Sequence, residues 1–198
     1  MKFIKSNLDD IVKLFINQIG IAILSLVLYT ALNISEDPDI AMMLKVLISA
    51  FSCIFYFCLI YMASWDFGAR DKIRIDSGAL SFVPAKGALI ALASNSINIL
   101  LSLGAVISII IYIAIPGEGA YDAFAVFNLF LRFINSMFIG IIQFAFNSIK
   151  DNVNGYYLGQ SIVYFFAPLV TILVSYFGYE MGMKEKKLLG SLFATTKK

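Results

Sequence analysis

Five apolar runs, at 11–32, 40–65, 87–115, 123–147 and 158–179, fill most of this chain, and each is long enough to cross a bilayer as a helix. A spanning helix needs about 20 apolar residues at 1.5 Å rise per residue. The pattern predicts an all-α fold, an integral membrane helical bundle of four to five transmembrane helices in one membrane domain, 1–198. Composition points the same way: 60% of residues are hydrophobic and 14% charged, with a mean hydropathy of +0.86. That is too little polar surface to coat a water-soluble globule of this size, so the first expected partner is the lipid bilayer.

Several function classes drop out on residue type alone. A net charge of +2 gives no basic face for nucleic acid. The chain has no histidine, which removes most zinc sites, Ser-His and Cys-His dyads and imidazole proton relays. Its two cysteines, Cys53 and Cys58, share one apolar run. At roughly 100° per residue they lie about 140° apart on a helix, which suits neither a disulfide nor a shared metal. No metal site and no cofactor is expected.

Charge placement sets the expected topology. Lys2, Lys5 and Lys13 put the N-terminus in the cytoplasm, and Ser6 with Asp9 three residues on reads as a capping box for the first helix. The turn 33–39, with Glu36, Asp37 and Asp39, is external; Tyr61 and Trp65 then suit the inner interface. Pro116 and Gly117 end the third run before a second acidic turn, and Pro168 kinks the last. The tail, with Lys184, Lys186, Lys187, Lys197 and Lys198, belongs in the cytoplasm. Five full crossings would leave that tail outside. The expectation is therefore four spans plus one re-entrant or partly inserted segment, 123–147, with both termini cytoplasmic.

Two polar stripes cross the apolar runs. Ala88, Ala91, Asn95, Asn98, Ser102 and Ala105 recur three and four apart on one helix face, a pattern for close helix contact through small residues and buried amides. Asn128, Arg132 and Asn135 form the second stripe, bordered by Ser136 and Gln143 and expected to face inward. An arginine about ten residues into a span lies roughly 15 Å deep. It costs about 2.5–3.5 kcal/mol to insert, so it requires partners. No carboxylate lies at its depth in the sequence, which leaves carbonyls, the Asn95 and Asn98 amides, an anionic ligand or another subunit.

Between the second and third runs, 65–86 is the long polar interruption, with Asp66, Arg70, Asp71, Lys72, Arg74, Asp76 and Lys86. It is expected as a loop in water or at the headgroups, where it could dock a cytoplasmic partner. Trp65, Asp66, Gly68, Arg70 and Asp71, taken with Tyr179, Gly182 and Lys184, resemble a pattern of small bacterial polytopic membrane proteins. The resemblance implies a polytopic fold and no known activity. Fragments of the alcohol phosphotransferase motif are also similar, but its earlier Asp-Gly pair and later aspartates are missing. Capture subunits of energy-coupling vitamin transporters are similar in length and hydrophobicity, yet present six spans and an Ala-x-x-x-Ala face.

The functional expectation is a non-enzymatic membrane subunit or accessory of a larger membrane complex. The alternative is a transport or capture protein for a small anionic solute, anchored by Arg132 with Asn128, Asn135, Asn95 and Asn98. No nucleophile and base, carboxylate pair or metal cluster can be assembled within one depth, so no catalytic residue is assigned.

Overall fold

A computed structural model describes residues 2–31, 38–149 and 151–186. Most of the acidic turn at 33–39 lies outside them, as do Lys187, Lys197 and Lys198. Among the described residues all regular structure is helical: α1 (Lys2–Ser6), α2 (Leu8–Ala31), α3 (Pro38–Asp76), α4 (Lys86–Ser94), α5 (Ser96–Ala114), α6 (Glu118–Ile134), α7 (Ile139–Ala145) and α8 (Val153–Met183). Short 3-10 turns at Ser136–Phe138 and Asn147–Ile149 flank α7. The chain is thus an all-α helical bundle.

By length and composition α2, α3, α5 and α8 can each cross a membrane. The segment expected to be re-entrant is a broken pair: α6 and the 136–145 stretch meet at 83°. Outward faces carry large apolar side chains, among them Ile16, Ile54, Leu100, Leu129 and Leu173, each more than half exposed. Such continuous apolar surface is compatible with a multi-pass membrane protein.

Three local expectations are corrected. The capping box does not form, because Ser6 closes α1 and donates to the Phe3 carbonyl at 2.9 Å. The third run is broken at Asn95, between α4 and α5. Most consequential, the polar stretch after Trp65 is not a loop: α3 continues to Asp76. The reason is amphipathicity, since Ile60, Ala63, Ser64, Phe67 and Asp71 recur three and four apart on its buried face while Asp66, Arg70 and Arg74 are exposed. The helix then stops where Gly78 takes φ 74°. Gly78 N donates to the Ile75 carbonyl and Ala79 N to that of Arg74, both at 2.9 Å, the paired bonds of a Schellman C-cap.

The chain divides into two compact units, one of 1–14, 57–94 and 170–198, the other of 15–56 and 95–169. In the first, the ends of α3 and α8 approach backbone to backbone. A Cβ added at Gly68 would run into the Tyr179 carbonyl, and one at Gly182 into that of Trp65. Small residues permit this closeness where lipid tails provide no hydrophobic drive between helices. Ser64 and Ser175 share a hydrogen bond of 2.8 Å, and Ser175 donates to the Gly87 carbonyl at 2.9 Å, which ties the start of α4 to the same seam.

The second unit is built round Ala105, Ile109, Phe124, Leu131, Ile142 and Tyr164, which form one buried apolar cluster. The bend after α6 is held by hydroxyls. Ser136 donates to the Ala22 carbonyl at 2.8 Å, and Gly140 N donates to Ser49 Oγ at 2.8 Å and to the Tyr29 hydroxyl at 3.0 Å. The first N–H groups of α7 have no helical partner, so these side chains supply one.

Candidate functional site

In the first unit, the sequence-selected docking residues sit on α3. Asp71 is buried, with Lys86 Nζ 2.7 Å from its Oδ2; the two side chains are 6% and 7% exposed. The Tyr179 hydroxyl donates to the same oxygen at 2.8 Å. Both charges were expected in water. Burial is tolerated because the carboxylate gains a cation and a hydroxyl donor in one place, which offsets desolvation. Phe67 lies beside them, under Lys13 and Arg70 at 5.5 and 5.2 Å from the ring centroid. Trp65 Nε1 donates to the Lys186 carbonyl at 2.9 Å.

The two sequence patches that carry the family resemblance therefore meet in space. Gly68 abuts Tyr179, Gly182 abuts Trp65, and Tyr179 binds Asp71. Asp66 and Arg70 are left outside this seam. They line a surface cleft of about 490 Å³ with Asp9, Asp10, Lys13, Ala69 and Ile73, where Arg70 and Asp10 form an ion pair at 2.5 Å. Arg70 thus pairs with Asp10, sixty residues away in the chain, and not with Asp66 one turn earlier on α3.

In the second unit, the amides expected on inner faces are buried: Asn95, Asn98, Asn128 and Asn135 are all under 9% exposed. Asn98 Nδ2 donates to Asn135 Oδ1 at 3.0 Å and Asn135 Nδ2 to Asn98 Oδ1 at 2.9 Å. Two carboxamides so matched satisfy a donor and an acceptor on each side. The pair joins α5 to the break after α6, where Asn135 also donates to the Leu131 carbonyl at 3.1 Å.

Arg132 departs from the expectation. It does not face inward but is exposed. The buried face of α6 runs through Phe124, Asn128, Leu131 and Ile134, and Arg132 lies about 100° round from Leu131. It lines a cleft of about 250 Å³ with Val153, Tyr156 and Tyr157 and makes no ion pair or hydrogen bond among the described residues. The structure thus separates Arg132 from the Asn98–Asn135 pair with which the sequence grouped it.

Sequence spacing missed the Asp71–Lys86–Tyr179 cluster because its members lie far apart in the chain. One signal was present: Asp71 keeps the phase of Ile60, Ala63, Ser64 and Phe67 along α3. Among the described residues, no three His, Cys, Asp or Glu side chains gather as metal ligands would. Comparison with protein-family models, curated proteins and solved structures finds no match to this chain.

Proposed function

We propose that this chain is a multi-pass integral membrane protein of a bacterial cell membrane, working without catalysis as a subunit of, or accessory to, a larger membrane complex. The observation that supports it most is the division of charge in the first unit. Asp71 and Lys86 are consumed inside the fold, whereas Asp9, Asp66 and Arg70 face outward around one cleft. A rigid glycine-packed seam with a charged outer rim suits docking of a cytoplasmic partner, because rim charges govern encounter and partner choice more than fold stability.

The test is purification in mild detergent, with mass spectrometry of the accompanying chains, for wild type and for Asp66→Lys. A partner retained by wild type and lost from Asp66→Lys at unchanged melting temperature supports docking at this rim. Identical co-purified species in both proteins would overturn it.

A second reading, capture of a small anionic solute, is favoured by Arg132, which stands in its cleft with no ion pair or hydrogen bond among the described residues. It requires a rise in melting temperature on adding phosphate or a small carboxylate to the purified protein, lost in Arg132→Met.

A further inference from the structure

Arg132, Val153, Tyr156 and Tyr157 line one cleft between α6 and α8 of the second unit, and two buried amides lie on the same two helices. Arg132 is exposed and without a hydrogen-bond or ion-pair partner among the described residues. Tyr156 and Tyr157, half-buried on the first turns of α8, line the same small cleft. Deeper in the fold, Asn128 and Gln160 are 8% and 2% exposed, and the side-chain oxygen of each lacks a donor among the described residues. Gln160 uses its amide nitrogen on the Tyr164 hydroxyl at 3.0 Å.

Spacing places these groups on facing stripes. Asn128 and Arg132 are four apart on α6; Val153, Tyr156, Tyr157 and Gln160 follow at three- and four-residue steps on α8. The Phe124 and Tyr157 rings are 5.1 Å apart, and Leu131 and Tyr164 share one cluster, at the same offset along both helices. Asn128 therefore falls level with Gln160 and its neighbour Ser161. A helical side chain leans toward its own N-terminus, so Arg132 reaches back toward the level of Asn128.

A fork-shaped cation beside two phenols recognises a phosphate or carboxylate, and two buried acceptors lacking donors call for hydroxyl or amine hydrogens next to that anion. The surroundings choose between sources. The exposed residues of α6 flanking Arg132 are Leu129, Phe130 and Phe133, and Val153 at the cleft is itself exposed. An anion entering here brings its remaining atoms against apolar surface, which fits acyl chains and not a free solute. We infer that the α6–α8 cleft is a headgroup site for an anionic phospholipid whose headgroup carries hydroxyl donors, of the phosphoglycerol type. Arg132 and the tyrosines take the phosphate, and Asn128 and Gln160 accept from the hydroxyls. The inference does not depend on the subunit reading.

The experiment compares lipid retention by native mass spectrometry after reconstitution in equal phosphatidylglycerol and phosphatidylcholine. Phosphatidylcholine has the phosphate but neither net charge nor donor. Wild type should keep phosphatidylglycerol over phosphatidylcholine, with the preference reduced at least about tenfold in Arg132→Met. Asn128→Leu should narrow the preference while melting at or above the wild-type temperature in phosphatidylcholine, because it removes a buried acceptor without a donor. If Arg132→Met does not fold, Arg132→Gln replaces it. Glycerol phosphate and inorganic phosphate form the free-anion arm. Failure of either to displace the lipid supports a lipid site, whereas displacement at matched concentration assigns the same chemistry to a free phosphate and overturns the lipid source. Retention of phosphatidylglycerol by both Arg132→Met and Arg132→Gln at the wild-type level would overturn the site altogether.

Discussion

The Asp71 carboxylate is the residue on which the first unit turns, because it holds both a buried cation and a phenol. Removing either charged member of such a cluster leaves an uncompensated charge, while removing the whole cluster leaves only apolar packing. Lys86→Met is therefore expected to lower stability by about 3–5 kcal/mol. Tyr179→Phe should cost less, about 1.5–3 kcal/mol, the range for a hydrogen bond to a charged group. The triple replacement Asp71→Leu, Lys86→Met, Tyr179→Phe should recover most of the loss. Detergent melting of the three proteins side by side checks the order, and a triple variant less stable than Lys86→Met would contradict it. In the second unit, Asn98 and Asn135 should be coupled: a cycle of Asn98→Ala and Asn135→Ala is expected to return about 0.6–1.7 kcal/mol.

Helix contact in the first unit depends on where a side chain is missing. Gly68 and Gly182 admit the opposing backbone, so Gly68→Ala or Gly182→Ala must push α3 and α8 apart locally and lower the melting temperature clearly. Gly119, on α6 with nothing within 4 Å of an added Cβ, is the control. Gly119→Ala should be neutral or slightly stabilising, since alanine is the better helix former. Equal losses at all three would refute the seam. The small-residue stripe of the third run was legible because burial follows helical phase: Ala91, Asn95, Asn98, Ser102 and Ala105 are all buried. The break at Asn95 was not, since no proline or glycine stands at that position to mark it.

For the whole molecule, four long apolar helices and one bent pair give four crossings if the pair is re-entrant and five if it spans; the lysines that follow α8 argue for four. Lys5, Arg74 and Lys184 are then expected on the cytoplasmic side and Glu118 outside. Single cysteines at these four positions, in a background lacking Cys53 and Cys58, can be tested with a membrane-impermeant thiol reagent on intact cells. Only position 118 should react. Labelling of position 184 from outside would replace the four-span arrangement with five full crossings.

Apolar runs of span length made the helical bundle readable from the chain alone, because hydrocarbon admits so few backbone solutions. The broken fourth run was readable too, through the conflict between five crossings and a lysine-rich tail. Tertiary structure decided the fate of the polar groups. Whether Asp71 is solvated or buried depends on Lys86 and Tyr179, which meet it only when α3, the start of α4 and α8 pack. Whether Arg132 points in or out depends on which flank of α6 is covered, and Leu131, one residue away, takes the inner place. Charge burial is set by partners brought from distant parts of the chain, and local spacing carries no record of them.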